Sequence, residues 1–152
     1  ALIPGPKNSG GTQPVINGFK DAIEGSDVSI SATYWADNDK ELQRNLIQKI
    51  IDDEKELDYI TGSAVAIEAA ISELRAAHKE TEVKLVSTYL SHGVYRGLLR
   101  NRIVFSPTDK MVEQGRISMI QAVNYLDSQP FDQTFSPDIE TLTPNKINQR
   151  EL

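Results

Sequence analysis

Along the 152-residue chain, short apolar runs alternate with longer stretches in which apolar residues return every three or four positions. Apolar runs of four to eight residues read as strands, and a 3.6-residue repeat reads as an amphipathic helix. Residues 1–4 are predicted as a strand that stops at the Gly/Pro-rich stretch "PGPKNSGG". A helix follows over 13–24, with Val15, Ile16, Phe19 and Ile23 on one face and Gly25 as its stop. Residues 28–33 alternate as a strand. Asn38, with Glu41 three residues on, has a capping-box pattern ahead of Leu42, Leu46, Ile47, Ile50 and Ile51.

The alternation continues to the end of the chain. Strands are predicted at 58–61, 83–88, 102–106 and in "PDIETLTP". Helices are predicted at 63–79, in "SHGVYRGLLR" and at 109–127, the last carrying Val112, Met119, Val123 and Leu126. Regular strand–helix alternation with apolar strands implies an α/β fold of three α/β/α layers around a mostly parallel sheet. Ligands of such sheets bind where the loops after the strands gather, at their carboxyl ends. Those loops are 4–11, 33–38, 62–63, 89–92 and 107–109. The cluster Tyr34, Trp35, Asp37, Asn38 and Asp39 falls on one of them, and it contains the only tryptophan of the chain.

Composition narrows the function classes. Hydrophobic content of 39% and charged content of 25% are globular values, and 152 residues suit one domain. A net charge of −6 without a Lys/Arg stripe argues against nucleic acid and anionic membranes as partners. The chain has no cysteine, which excludes disulfides and thiolate metal sites. No apolar run approaches the roughly 20 residues of a membrane span. The opening "ALIPGP" reads as a strand already under way, so the expectation is a piece of a longer protein.

Each chemical motif has a plainer explanation beside it. "GPKNSGG" lacks the Gly-Lys-Ser/Thr ending of a phosphate loop, and its glycines serve backbone geometry. Asp37 and Asp39 could hold a hard cation, but helix capping accounts for the same cluster. No metal and no cofactor are expected. Ser63, His92 and Asp109 could be drawn as a hydrolytic triad, yet Ser63 lacks a nucleophile elbow, and Ser63, Ser91 and Asp109 stand where helices need N-caps. Tyr89 follows the apolar strand "VKLVST" and offers an aromatic face with one hydroxyl; core packing fits that position equally well.

The blocks "PGPKNSGG", "GFKDAIEGS", "ADNDKELQRNLIQ", "TGSAVAIEAA", "VSTYLSHGVYRGLLRNRI", "DKMVEQG" and "LTPNK" resemble, in order, the TorT family of periplasmic trimethylamine N-oxide sensors. That family is similar to type I periplasmic sugar-binding proteins and lactose-repressor-type effector domains. The resemblance implies a periplasmic, non-enzymatic binding protein of two hinged lobes. Residues 1–152 would be the carboxyl-terminal lobe, with 129–152 including a return crossover. It also implies trimethylamine N-oxide as ligand and the periplasmic domain of the histidine kinase TorS as partner. By chemistry, Tyr89 is the leading ligand-binding candidate, followed by Asp109 and Ser63, with Trp35 and Tyr34 as rim residues. A sugar-binding lobe is the alternative.

Overall fold

The computed structural model describes residues 1–54, 56–132 and 134–147. Its centre is a parallel sheet of β1 (Leu2–Gly5), β2 (Thr33–Trp35), β3 (Tyr59–Gly62) and β4 (Lys84–Ser87), in the order β2-β1-β3-β4. The connecting helices are α1 (Thr12–Ile23), α2 (Lys40–Asp53), α3 (Ala64–Ala76) and α4 (His92–Leu99). The first crossover steps one way along the sheet and the next two step the other way. Right-handed crossovers therefore put α1 on one face and α2 and α3 on the opposite face. The strand order reverses between β1 and β3, and there the loops splay apart.

The core lies under α2, α3 and α4. Ile3, Ile60 and Leu85 from the sheet meet Ile47, Ile50, Ile67, Leu74, Val94, Leu98 and Ile103. Ala66 and Ala70 make a smooth α3 face that lets α2 approach closely. Across that seam the nearly buried Glu73 accepts from Arg44 Nε and Gln48 Nε2, both at 2.8 Å, so its charge is compensated where it is desolvated.

Several boundaries move from their predicted places. The strand expected over 28–33 forms only at Thr33–Trp35. The partner strand β1 starts at Leu2, whose N–H reaches Ala32 O at 2.9 Å, and alternation without a ladder partner makes no strand. The α2 cap is Asp39 rather than Asn38: Asp39 Oδ1 accepts from Glu41 N and Leu42 N, both at 3.0 Å. Asp39→Ala is therefore expected to cost about 1 kcal/mol of stability in urea unfolding, and Asn38→Ala clearly less. Ser63 and Ser91 cap α3 and α4 as expected.

The last third departs most. Residues 103–105 run beside β4, with Val104 N bonded to Leu85 O and Ser87 N to Phe105 O. The chain then leaves the sheet as a ribbon in which β5 (Ser106–Thr108) pairs antiparallel with β6 (Glu140–Leu142). Between them runs α5 (Met111–Leu126), and a short α6 (Pro144–Ile147) closes the described chain. The α5 cap is Lys110, in the left-handed region at φ 54°, so Asp109 is not the cap that the sequence suggests. No α5 residue is buried, and Val112 and Leu126 are 79% and 78% exposed. A three-layer α/β/α fold would lay this apolar stripe on the sheet; because β5 turns into the ribbon, α5 never returns to it. No helix among the described residues is long and apolar enough to cross a membrane.

Candidate ligand cleft

The carboxyl ends of β3, β4 and β5 bring three predicted residues to one rim. Ser63 follows β3, Tyr89 follows β4 and Asp109 follows β5. Between the starts of α4 and α5 lies an open hollow of about 580 Å³, lined by Leu90, Ser91, His92, Tyr95, Thr108 and Lys110 among others. Tyr89 and Asp109 each sit next in sequence to residues of this wall. A second hollow, of about 500 Å³, lies between α1 and the amino ends of the strands. Its place at the opposite pole removes it as the ligand cleft, because the strand-end loops gather elsewhere.

Tyr89 is held rather than loose. Its carbonyl accepts from Ser87 Oγ at 2.7 Å, which fixes the turn out of β4. The residue remains 40% exposed, so one side is open to a guest. Burial of the hydroxyl pushes its pKa above the ordinary value of 10.0, with Glu68 adding to that rise. The backbone N–H groups of Ala64 and Val65, in the first turn of α3, act on the phenol oxygen and pull the other way. The hydroxyl thus lies across the turn from β3 into α3, toward the point where the strand order reverses. With its pKa raised, the hydroxyl keeps its proton through neutral pH and can donate.

Asp109 is partly buried, and its carbonyl accepts from Gln114 Nε2 at 2.6 Å. Lys110 Nζ pairs with Glu140 at 3.0 Å, tying the start of α5 to β6. The hydrogen bond to Glu140 is the leading reason the Lys110 pKa is raised.

The other predicted residues fare differently. Ser63 is only 2% exposed, and its Oγ accepts from Ala66 N at 3.3 Å, so it underlies the rim instead of lining it. Among the described residues, no hydrogen bond links Ser63, His92 and Asp109. Tyr34 lies inside β2 and turns its hydroxyl to Glu54 Oε1, 2.9 Å away at the far end of α2. That removes Tyr34 from the rim. Trp35 ends β2 opposite Gly5, on the correct edge, where buried Gln43 anchors the following loop through Ala36 O and Asp37 O. Yet three strand spacings, about 14 Å, separate β2 from β4, so Trp35 and Tyr89 cannot enclose one small guest from this lobe alone.

One participant escaped sequence reading. Glu68, in the second turn of α3, accepts from Ser91 Oγ at 2.5 Å and acts on Tyr89. Nothing in the spacing of "TGSAVAIEAA" marks this glutamate; only the packing of α3 beside α4 brings it to the rim.

Comparison with known proteins agrees with this architecture. The family model described as periplasmic binding proteins and sugar binding domain of LacI family matches residues 1–146. The periplasmic protein TorT of Escherichia coli strain K12 is 42% identical over 151 residues, 99% of this chain but 44% of the relative. A solved complex of the TorS sensor domain with TorT in the absence of ligand matches at 62% identity and a TM-score of 0.90, covering 94% of this chain and 48% of that one. The same complex in the presence of TMAO matches at 60% identity and a TM-score of 0.88, covering 95% and 47%. The chain therefore spans about half the length of the proteins it matches.

Proposed function

The chain belongs to the family of periplasmic binding proteins and LacI-type sugar-binding domains, and from that premise we propose that it is the carboxyl-terminal lobe of a periplasmic trimethylamine N-oxide sensor. The observation that carries this reading is 60% identity, over 95% of the chain, to a TorT solved with the TorS sensor domain in the presence of TMAO. On this reading the intact protein has two hinged lobes and is not an enzyme. Ligand favours one hinge arrangement, and the periplasmic domain of a TorS-type histidine kinase reads that arrangement.

The residue chemistry supports the ligand class. Trimethylamine N-oxide presents a methyl-covered cationic centre and one strongly accepting oxygen. Tyr89 offers an aromatic face for the methyl groups and a hydroxyl that donates to the oxide. Asp109 supplies negative charge on the same rim, and Trp35 shapes its far end. The same wall also carries His92, Lys110, Glu113 and Arg116, polar groups that a sugar would use, so the sequence identity and not the lining ranks the methylamine reading first.

The exposed stripe of α5 supports the two-lobe reading. A helix with Met119, Val123 and Leu126 facing outward is marginal alone in water and suits a surface that another body covers. We read the β5–β6 ribbon as the crossover, leaving the lobe at Ser106–Thr108 and returning at Glu140–Leu142, inside the expected 129–152, with α5 packing on the sister lobe. Residues 148–152 lie outside the described residues.

Titration calorimetry of the intact protein tests the proposal. Trimethylamine N-oxide is expected to bind, sugars are not, and the 152-residue lobe alone is expected to bind at least about tenfold more weakly, since half an enclosure cannot desolvate the guest. Sugar binding without methylamine binding would replace this reading by the sugar-binding alternative.

A further inference from the structure

Glu68 places its carboxylate beside the first turn of α4, against Gly93 and the capping hydroxyl of Ser91. The first turn of α4 points its N–H groups and the positive end of its dipole at the cleft rim, an arrangement that attracts negative charge. Ser91, the cap, accepts from Val94 N at 3.0 Å and donates to Glu68 Oε1 at 2.5 Å. One hydroxyl thus joins the helix end to the carboxylate and fixes both. Residue 93 completes the arrangement: a Cβ there would overlap the Glu68 carboxyl group, so glycine lets the carboxylate lie in this place and a larger residue would push it aside. The carboxylate also acts electrostatically on the Tyr89 hydroxyl.

Resting on the reading of this cleft as a methylamine site, we propose that Glu68 is a specificity-determining residue that gives the rim its charge preference. The α4 terminus is capped by Ser91, whose hydroxyl is itself bound to the Glu68 carboxylate of the same lobe. Anionic guests such as carboxylates and sulfate therefore meet a capped helix end and the Glu68 and Asp109 carboxylates, while Lys110 of the same wall is paired with Glu140 and Arg116 is an opposing positive charge. A guest with a methylated cationic centre gains attraction from both carboxylates while Tyr89 supplies the aromatic face. Glu68 also acts on Tyr89 from the same helix whose first turn faces that residue, so its charge bears on the Tyr89 hydroxyl.

The test uses the intact two-lobed protein as wild type and as Glu68→Gln, which keeps a hydrogen-bonding oxygen for Ser91 but removes the charge. Trimethylamine N-oxide, choline, acetate and sulfate are titrated into each by calorimetry, with the ligand-free melting temperature as the fold control. The proposal expects Glu68→Gln to melt like wild type, to lose about tenfold in affinity for the methylated compounds, and to narrow the gap to the anions. Gly93→Ala, which displaces the carboxylate without removing it, is expected to lose affinity in the same direction. Wild-type affinity and selectivity in Glu68→Gln would overturn the assignment while leaving trimethylamine N-oxide binding intact. If wild type binds choline but not trimethylamine N-oxide and Glu68→Gln weakens choline, the sensor reading fails and Glu68 stands. A wild type that binds acetate or sulfate, or none of the methylated compounds, overturns Glu68.

Discussion

Tyr89→Ala in the intact protein is expected to weaken trimethylamine N-oxide binding by about a hundredfold, the largest loss available from a single residue of this lobe. Two contributions disappear together. The ring face against a desolvated methylammonium centre contributes roughly 1–2 kcal/mol. The hydroxyl's hydrogen bond to the oxide contributes roughly 0.5–1.5 kcal/mol more. Their sum, roughly 1.5–3.5 kcal/mol, corresponds to about tenfold to a few hundredfold in the dissociation constant. Tyr89→Phe separates the two, since it keeps the face and loses the donor, and it should cost about tenfold.

The sign of the pH effect follows from the direction of the Tyr89 shift. Burial raises the pKa above its ordinary 10.0, so the proton stays on the phenol throughout the neutral range. Binding through this group should be level from neutral pH to about pH 9, and be lost as pH rises through the raised value. Calorimetry on wild type and the two variants at pH 7 and 9 checks the affinity losses and the level range of the wild-type profile. Wild-type affinity in Tyr89→Ala would take the residue out of the site.

The second large effect concerns stability. Gly62 pairs with Ile3 at the centre of the sheet, and a Cβ built on it would lie 2.6 Å from Ile3 O and 2.9 Å from Ile3 Cβ. Both atoms belong to β1, which is held between β2 and β3, so neither can swing aside. Gly62→Ala is expected to cost about 2–3 kcal/mol, read as a lower urea midpoint with an unchanged slope. Gly18→Ala is the control: its site in α1 is open, and alanine there should stabilise by about 0.5–1 kcal/mol. Equal midpoints for the two variants would contradict the close approach of β1 and β3.

Much of this architecture is legible in residue order, and the misses have identifiable causes. The helix faces of α2 and α3 follow from apolar spacing, because 3.6-residue periodicity survives any arrangement in space. The caps Ser63 and Ser91 follow from local chemistry, while Asp39 displaced Asn38 because two good capping residues stand side by side and backbone angles choose between them. Residues 28–32 alternate like a strand but had no ladder to join. The Val112, Met119, Val123 and Leu126 stripe was legible too; which surface it covers was not.

By itself, then, the order of residues determined the strand–helix alternation, the parallel sheet and the edge where Tyr89 and Asp109 emerge. These depend on periodicity and on the right-handed crossover, which are properties of neighbouring residues. Only the tertiary structure turned Tyr34 toward Glu54, buried Ser63 beneath the rim, sent α5 out along an antiparallel ribbon and brought Glu68 against Ser91. Those outcomes depend on how two elements pack, and side-chain direction across a helix pair is invisible to any pattern read along one of them.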